Sequence, residues 1–295
     1  MAPGRLTGAD GAAPSWATWR AQAPAAPFGV LAGLLGELPA DRWPDIKDWN
    51  ALAEQRDVRN ARGLPLRFVE AAPGKVAALD FERRILDAGE VQTRTENWHD
   101  TFHACTWLLF PRAKARVNAL HMEAGAGLSP NKRSPLRDLL TLFDESGMVI
   151  ACAEPALAGL LARFQWHALF WEQRARVRGA MDFLIFGHAL FEHCQALRDG
   201  VTAKGMVVAV EPGYFSLPLE HRIEFLDAAL AARFTDASRF TGPRDLQPLP
   251  VKGIPGWAAE NSDPAYYLDE RQFRPGRTRD RGNGLPAAAQ PQPDK

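Results

Sequence analysis

The stretch Arg94–His121, RTENWHDTFHACTWLLFPRAKARVNALH, decides how the rest of the chain is read. His99, His103 and His121, three of the seven histidines, lie in it, so histidine chemistry is concentrated here. Trp98, Phe102, Cys105 and Leu109 recur at i, i+4, i+7 and i+11, an apolar stripe of helical period. Trp107 and Leu108 widen the stripe, so the spacing predicts a helix from about Thr95 to Phe110 that is buried on most sides. Pro111 suits the first turn of a helix, where no N–H is needed, and a second helix is predicted from there. On it Ala113, Val117 and Leu120 make a modest apolar stripe, and Lys114, Asn118 and His121 share a neighbouring face.

Outward from this pair of helices, Phe81–Leu86 reads equally well as helix or strand. The run TLFDESGMVIA (141–151) joins two apolar segments through Asp144-Glu145-Ser146-Gly147, a β-hairpin pattern. Helices are expected over Pro155–Phe164, Gln165–Val177 and Met181–Leu197, a strand over Met206–Val210 and a further helix over Leu219–Phe234. Only four of the 23 prolines fall between residues 74 and 211, which places the regular, densely packed part there. The expected fold is α+β: a predominantly helical single domain with a small antiparallel sheet that includes a hairpin near 139–152. Its expected organisation is a disordered N-terminus (1–15), an arm packed on the core (16–79), the main domain (80–275) and a disordered tail (276–295).

With 295 residues, 46 % of them hydrophobic, the chain can bury a sizeable core. Its formal net charge of zero argues against nucleic-acid binding and against membrane binding through bulk charge. Cys105, Cys152 and Cys194 are odd in number and sit in apolar contexts, as reduced thiols of a cytoplasmic protein do. Phe28–Leu35 is too short to span a bilayer. No Walker A loop, dinucleotide fingerprint, CxxC pair, HExxH or GxSxG is present.

Three polar groupings are candidates for chemistry. Arg94, Asn97, His99 and Asp100 stand at the start of the first helix, where His99 suits a general base or a metal ligand; the competing reading is a helix-start hydrogen-bond network. Lys114, Asn118 and His121 suit a carboxylate or phosphate group, or form a solvated helix face. His188 and Glu192, four apart, suit a metal or a carboxylate-oriented histidine, or an intrahelical pair. Asp144 and Glu145 could add carboxylates to any of these sites, but read best as the acidic residues of a tight turn.

The chain resembles a bacterial family catalogued as a domain of unknown function, family 3025. The resemblance is carried by Thr93-Arg94, Asn97-Trp98-His99-Asp100, Phe110-Pro111, Lys114, Asn118 and His121. It continues through Arg137-Asp138, Leu140-Thr141, Phe143-Asp144-Glu145, Gly147, Gly187-His188-Ala189 with Glu192, Thr202-Ala203-Lys204, Ile254-Pro255-Gly256-Trp257 and Phe273-Arg274-Pro275, about residues 80–275. It implies a bacterial, cytoplasmic protein and brings no activity with it. The family pattern commonly has Asn where this chain has His103, which favours His99 over a His99–His103 metal pair. The functional expectation is a small-molecule enzyme, a hydrolase in the first instance. His99, Asp100, His188 and Glu192 are its catalytic candidates, and Arg94, Asn97, Lys114, Asn118 and His121 would bind an anionic small molecule. A divalent metal is compatible with the set but not required. The alternative is a non-catalytic ligand-binding or interaction protein whose polar motifs are structural hydrogen-bond networks.

Overall fold

The computed structural model describes residues 14–21, 26–74, 76–125 and 134–276; the two expected disordered ends fall almost wholly outside them. Helix α1 (Trp16–Arg20) starts where the Ser15 side chain accepts from the Thr18 N–H, and α2 (Ala32–Glu37) follows a short 3-10 turn. Helix α3 (Ile46–Gln55) is set by a reciprocal capping box between Asp45 and Asp48. Strands β1 (Arg67–Glu70) and β2 (Glu90–Thr93) pair in parallel, and α4 (Ala78–Ala88) crosses between them. The ambiguous segment Phe81–Leu86 is therefore helix, ended by Gly89 in the left-handed region at φ +70°.

Helix α5 (Trp98–Leu109) and helix α6 (Pro111–Gly125) meet at Pro111, and α5 is buried around almost its whole circumference. Helix α7 (Pro135–Ser146) is capped by Ser134 and carries Leu139, Leu140 and Phe143 into the core. It passes directly into β3 (Gly147–Cys152), so there is no hairpin at 139–152. The turn residues are instead the last turn of a helix, because Leu139, Leu140 and Phe143 before them share one buried helical face.

After β3 come α8 (Pro155–Ala162), α9 (Arg174–Ala180), β4 (Met181–Ile185) and α10 (His188–Cys194). The single helix expected over Met181–Leu197 is thus a strand and a short helix. Every residue of β3 is buried, so its backbone needs partners on both sides, and MDFLI supplies one of them. β5 (Thr202–Ala209) supplies the other, α11 (Leu219–Thr235) follows, and β6 (Gln247–Pro250) closes the edge. The strand order is β4-β3-β5-β6. The sheet is mixed rather than antiparallel: β3 and β5 run parallel because β4 and α10 carry the chain back between them.

The fold is α+β and predominantly helical, around one buried hydrophobic cluster that extends from Trp16 to Phe273. Trp19 packs edge-on against Trp98 (ring centroids 5.0 Å) and Phe102 (5.4 Å), and Trp43 lies 4.5 Å from Trp98. These contacts hold the first turn of α5. Among the described residues, no helix is long and apolar enough to cross a membrane.

Candidate functional site

Three helix ends converge. The first turn of α5 is fixed by Asn97, whose Oδ1 accepts from the Asp100 N–H at 3.1 Å, and it presents His99 and His103 one turn apart. The last turn of α7 presents Asp144 and Glu145. The first residue of α10 is His188, and Gly187 before it decides its position. The N–H groups of Phe186 and Gly187 both donate to the Gly147 carbonyl, at 3.0 and 2.9 Å. A Cβ at Gly187 would run into the backbone of Glu145 and Gly147, so only glycine allows this approach. The Thr106 hydroxyl, within reach of the Phe186 carbonyl at 3.1 Å, ties α5 to the same turn.

As a result His188 stands edge-on to both His99 (ring centroids 4.4 Å) and His103 (4.8 Å). Glu145 Oε2 lies 3.4 Å from His188 Nε2 and 3.7 Å from His99 Nε2. The opposite ring nitrogens face two other carboxylates. His99 Nδ1 is 3.3 Å from Asp100 Oδ1, and His188 Nδ1 is 3.8 Å from Asp144 Oδ2. That last distance is beyond a hydrogen bond, and His188 Nδ1 is buried with no hydrogen-bond partner. Asp100 accepts from the backbone N–H, Nε and Nη2 of Arg94, each at 2.8 Å. Behind His188, the Lys114 ammonium bonds Asp144, lies 3.0 Å from His103 Nε2, and sits over the Trp107 ring at 5.4 Å.

These neighbours drive the ionisable groups apart. Contact with Asp100, then with Glu145, raises His99 to about 9. Burial outweighs the pull of Asp144 and lowers His188 to about 4. Burial and the Lys114 charge hold His103 well below the ordinary imidazole range. Burial pushes Asp100 and Asp144 upward, but their cations win: Arg94 and His99 hold Asp100 well below the carboxylate range, and Lys114 with His188 does the same for Asp144. Contact with His99 lowers Glu145. Desolvation, and then the nearby Asp144 charge, raises half-buried Glu82 to about 7.

A cavity of about 710 Å³ opens onto this cluster. Of the residues singled out by sequence, Arg94, His99, Asp100, His121 and His188 line it. Asn97 is the helix cap rather than a cavity group. Lys114 is buried and already bonded to Asp144 and His103, and the Asn118 amide donates to the Glu82 carbonyl (2.8 Å) and carboxylate (2.6 Å), so both face protein. Glu192 is exposed on α10, away from the cavity lining. Glu82 and Arg137 line the cavity and were not among the sequence candidates; His103, Asp144 and Glu145, which the sequence reading did not favour, line it too. For Asp144 and Glu145 the signal was present: a helix begun at Ser134-Pro135 and continued through Leu139, Leu140 and Phe143 ends on them. The tight-turn reading of these two acids is therefore replaced.

The family model described as "Protein of unknown function (DUF3025)" matches residues 66–277. The chain belongs to this family. The DUF3025 match starts at Leu66, earlier than residue 80, and so takes in the β1–α4–β2 unit that supplies Glu82, Gln92 and Arg94 to the cavity. No curated protein and no solved structure matches the chain.

Proposed function

We propose that this protein is a small-molecule enzyme of hydrolytic type, with its reaction centre where His99, His188 and Glu145 converge. The observation that carries the reading is His188. Its side chain is 4 % exposed, it lines the cavity, and its Nδ1 has no hydrogen bond. An unpaired buried polar atom costs about 1–3 kcal/mol, and this one belongs to a side chain that lines the cavity. Two adjacent imidazoles driven in opposite directions by their surroundings also suit acid–base chemistry.

Hydrolysis here begins with a water at the convergence point. Its oxygen bonds to the electrophilic carbon or phosphorus of the substrate as its proton passes to an acid–base group of the cluster. The bond to the leaving oxygen or nitrogen then breaks, and that proton goes to the departing atom. The substrate carries an anionic group. Arg94 and Arg137 line the cavity, and Arg137, 7 % exposed, has an Nε without a hydrogen-bond partner. Lys114 acts by positioning Asp144 rather than by holding substrate. Free, buried Cys105, Cys152 and Cys194 suit a cytoplasmic setting.

The test is hydrolysis of a panel of small carboxylate- and phosphate-bearing esters, amides and phosphoesters. Turnover of a panel member that falls at least ~10²-fold in His188→Ala and Glu145→Gln, with thermal midpoints near that of the parent, supports the reading. Absence of turnover, together with a loss of several kcal/mol of stability in both His99→Ala and His188→Ala, would make the cluster a structural network instead.

A further inference from the structure

We infer that His99 Nε2, His188 Nε2 and Glu145 Oε2 bind one divalent first-row transition-metal ion, zinc or ferrous iron, with its remaining coordination positions open to the cavity. The inference rests on the hydrolytic reading for what the ion does there, not for its presence.

The three donor atoms lie within 4.8 Å of one another. The carboxylate oxygen is 3.4 Å from one imidazole nitrogen and 3.7 Å from the other. Those separations exceed an N–H···O bond of ~2.7–3.2 Å. They match the ~3.4 Å edge of a tetrahedron built on metal–ligand bonds of ~2.1 Å. The outer groups fit as well. A metal-bound imidazole usually turns its other nitrogen to a carboxylate or carbonyl, which fixes ring orientation. Here Asp100 faces His99 Nδ1 and Asp144 faces His188 Nδ1. Each of those carboxylates is itself held by a cation, Arg94 for Asp100 and Lys114 for Asp144. All three ligands sit on helix ends rather than loops, so the set is preorganised.

A second triad, His103, Asp144 and His188, has the same compactness. It is not the site. The Lys114 ammonium already bonds Asp144 and contacts His103 Nε2, so a cation occupies that position within the protein itself. Ligand chemistry sets the class of metal. Two imidazoles and one carboxylate suit zinc or ferrous iron, whereas magnesium and calcium require mostly oxygen.

The experiment uses the full chain, stripped with a chelator and then titrated calorimetrically with Zn²⁺ and, anaerobically, with Fe²⁺, Mg²⁺ and Ca²⁺ in parallel. One equivalent of Zn²⁺ or Fe²⁺ is expected to bind with a Kd of micromolar or below, and neither Mg²⁺ nor Ca²⁺ at that affinity. His99→Ala and Glu145→Gln should each weaken binding at least 100-fold, and Asp100→Asn by 10- to 100-fold. His103→Asn should leave it within a few-fold of the parent. Circular dichroism and thermal midpoints establish that each variant folds; if His99→Ala does not, Glu145→Gln and His103→Asn still decide. Absence of stoichiometric Zn²⁺ or Fe²⁺ binding overturns the inference, and so does loss of binding in His103→Asn with retention in Glu145→Gln. Metal binding without hydrolysis of any panel member removes the hydrolytic reading and keeps the site. Turnover by chelated, metal-free protein that binds no ion does the reverse.

Discussion

At the residue scale, Lys114 shows how a sequence stripe can mislead about direction. Lys114, Asn118 and His121 share a face of α6 as their spacing requires, but the face is turned inward: all three are buried. Lys114 neutralises Asp144 inside the protein, so its removal leaves a buried carboxylate without a countercharge. Lys114→Met is expected to cost ~3–5 kcal/mol in denaturant unfolding. Replacing both partners, as Lys114→Met with Asp144→Leu, should recover most of that loss, since no unpaired charge then remains; full additivity of the single losses would contradict the pairing. Gly187 makes the same point about backbone. Gly187→Ala places a methyl group against Glu145 and Gly147, and is expected to destabilise by ~1–3 kcal/mol and to displace His188. The sequence marks Gly187 as part of a motif, but the close approach that requires it joins segments forty residues apart.

At the element scale, the α5–α6 pair was legible because each helix carries its own signals: an apolar stripe on each and Pro111 at a first turn. Two other elements were not. Phe183, Phe186, Leu190 and Cys194 keep helical spacing across a strand, a glycine turn and a helix, and nothing local says that β3 needs Met181–Ile185 as a partner. Asp144-Glu145-Ser146-Gly147 has turn composition, yet the helix before it runs to its end. The candidate site was legible to the same degree. His99 and His188 were found from motifs, whereas His103 and the two α7 carboxylates, weighed in the sequence but not favoured there, are brought to the site by the packing of three helix ends. A long-range cap is equally invisible in sequence: Asp227 of α11 accepts from the Arg112 N–H (3.1 Å) and Ala113 N–H (2.8 Å) at the start of α6. Burial raises its carboxyl to about 6, from an ordinary value of 3.8. A raised acid contributes stability that is fully present below its unfolded pKa and is lost as pH rises through its folded one. The shift corresponds to ~3 kcal/mol between pH 4 and pH 7. Asp227→Asn should therefore gain on the parent by about that amount as pH is raised over this interval, measured by chemical unfolding at each pH; a constant difference would show that the carboxyl titrates as it does in the unfolded chain.

At the scale of the whole molecule, the segment before the family match is packed against the helix that carries two of the histidines. Trp98, one residue before His99, is met by Trp16 (6.0 Å), Trp19 (5.0 Å) and Trp43 (4.5 Å), and Phe102, one residue before His103, is met by Trp19 and Phe28. Trp16 and Trp19 are almost fully buried, and the Trp16 indole donates to the Pro39 carbonyl at 2.8 Å. Loss of a single buried aromatic ring costs ~3–5 kcal/mol, and a domain has only ~5–15 kcal/mol in total. Removing the whole segment deletes several such rings at once and exposes the outer face of α5. A fragment spanning residues 66–276 is therefore expected to lose cooperative thermal unfolding and the near-ultraviolet circular dichroism of packed tryptophans. Trp19→Ala in the full chain should lower stability by ~3–5 kcal/mol while leaving a folded protein to compare. A fragment that unfolds sharply, with a midpoint close to the parent's, would show that the first turn of α5, and with it the placement of His99, is held by the family-matched region alone.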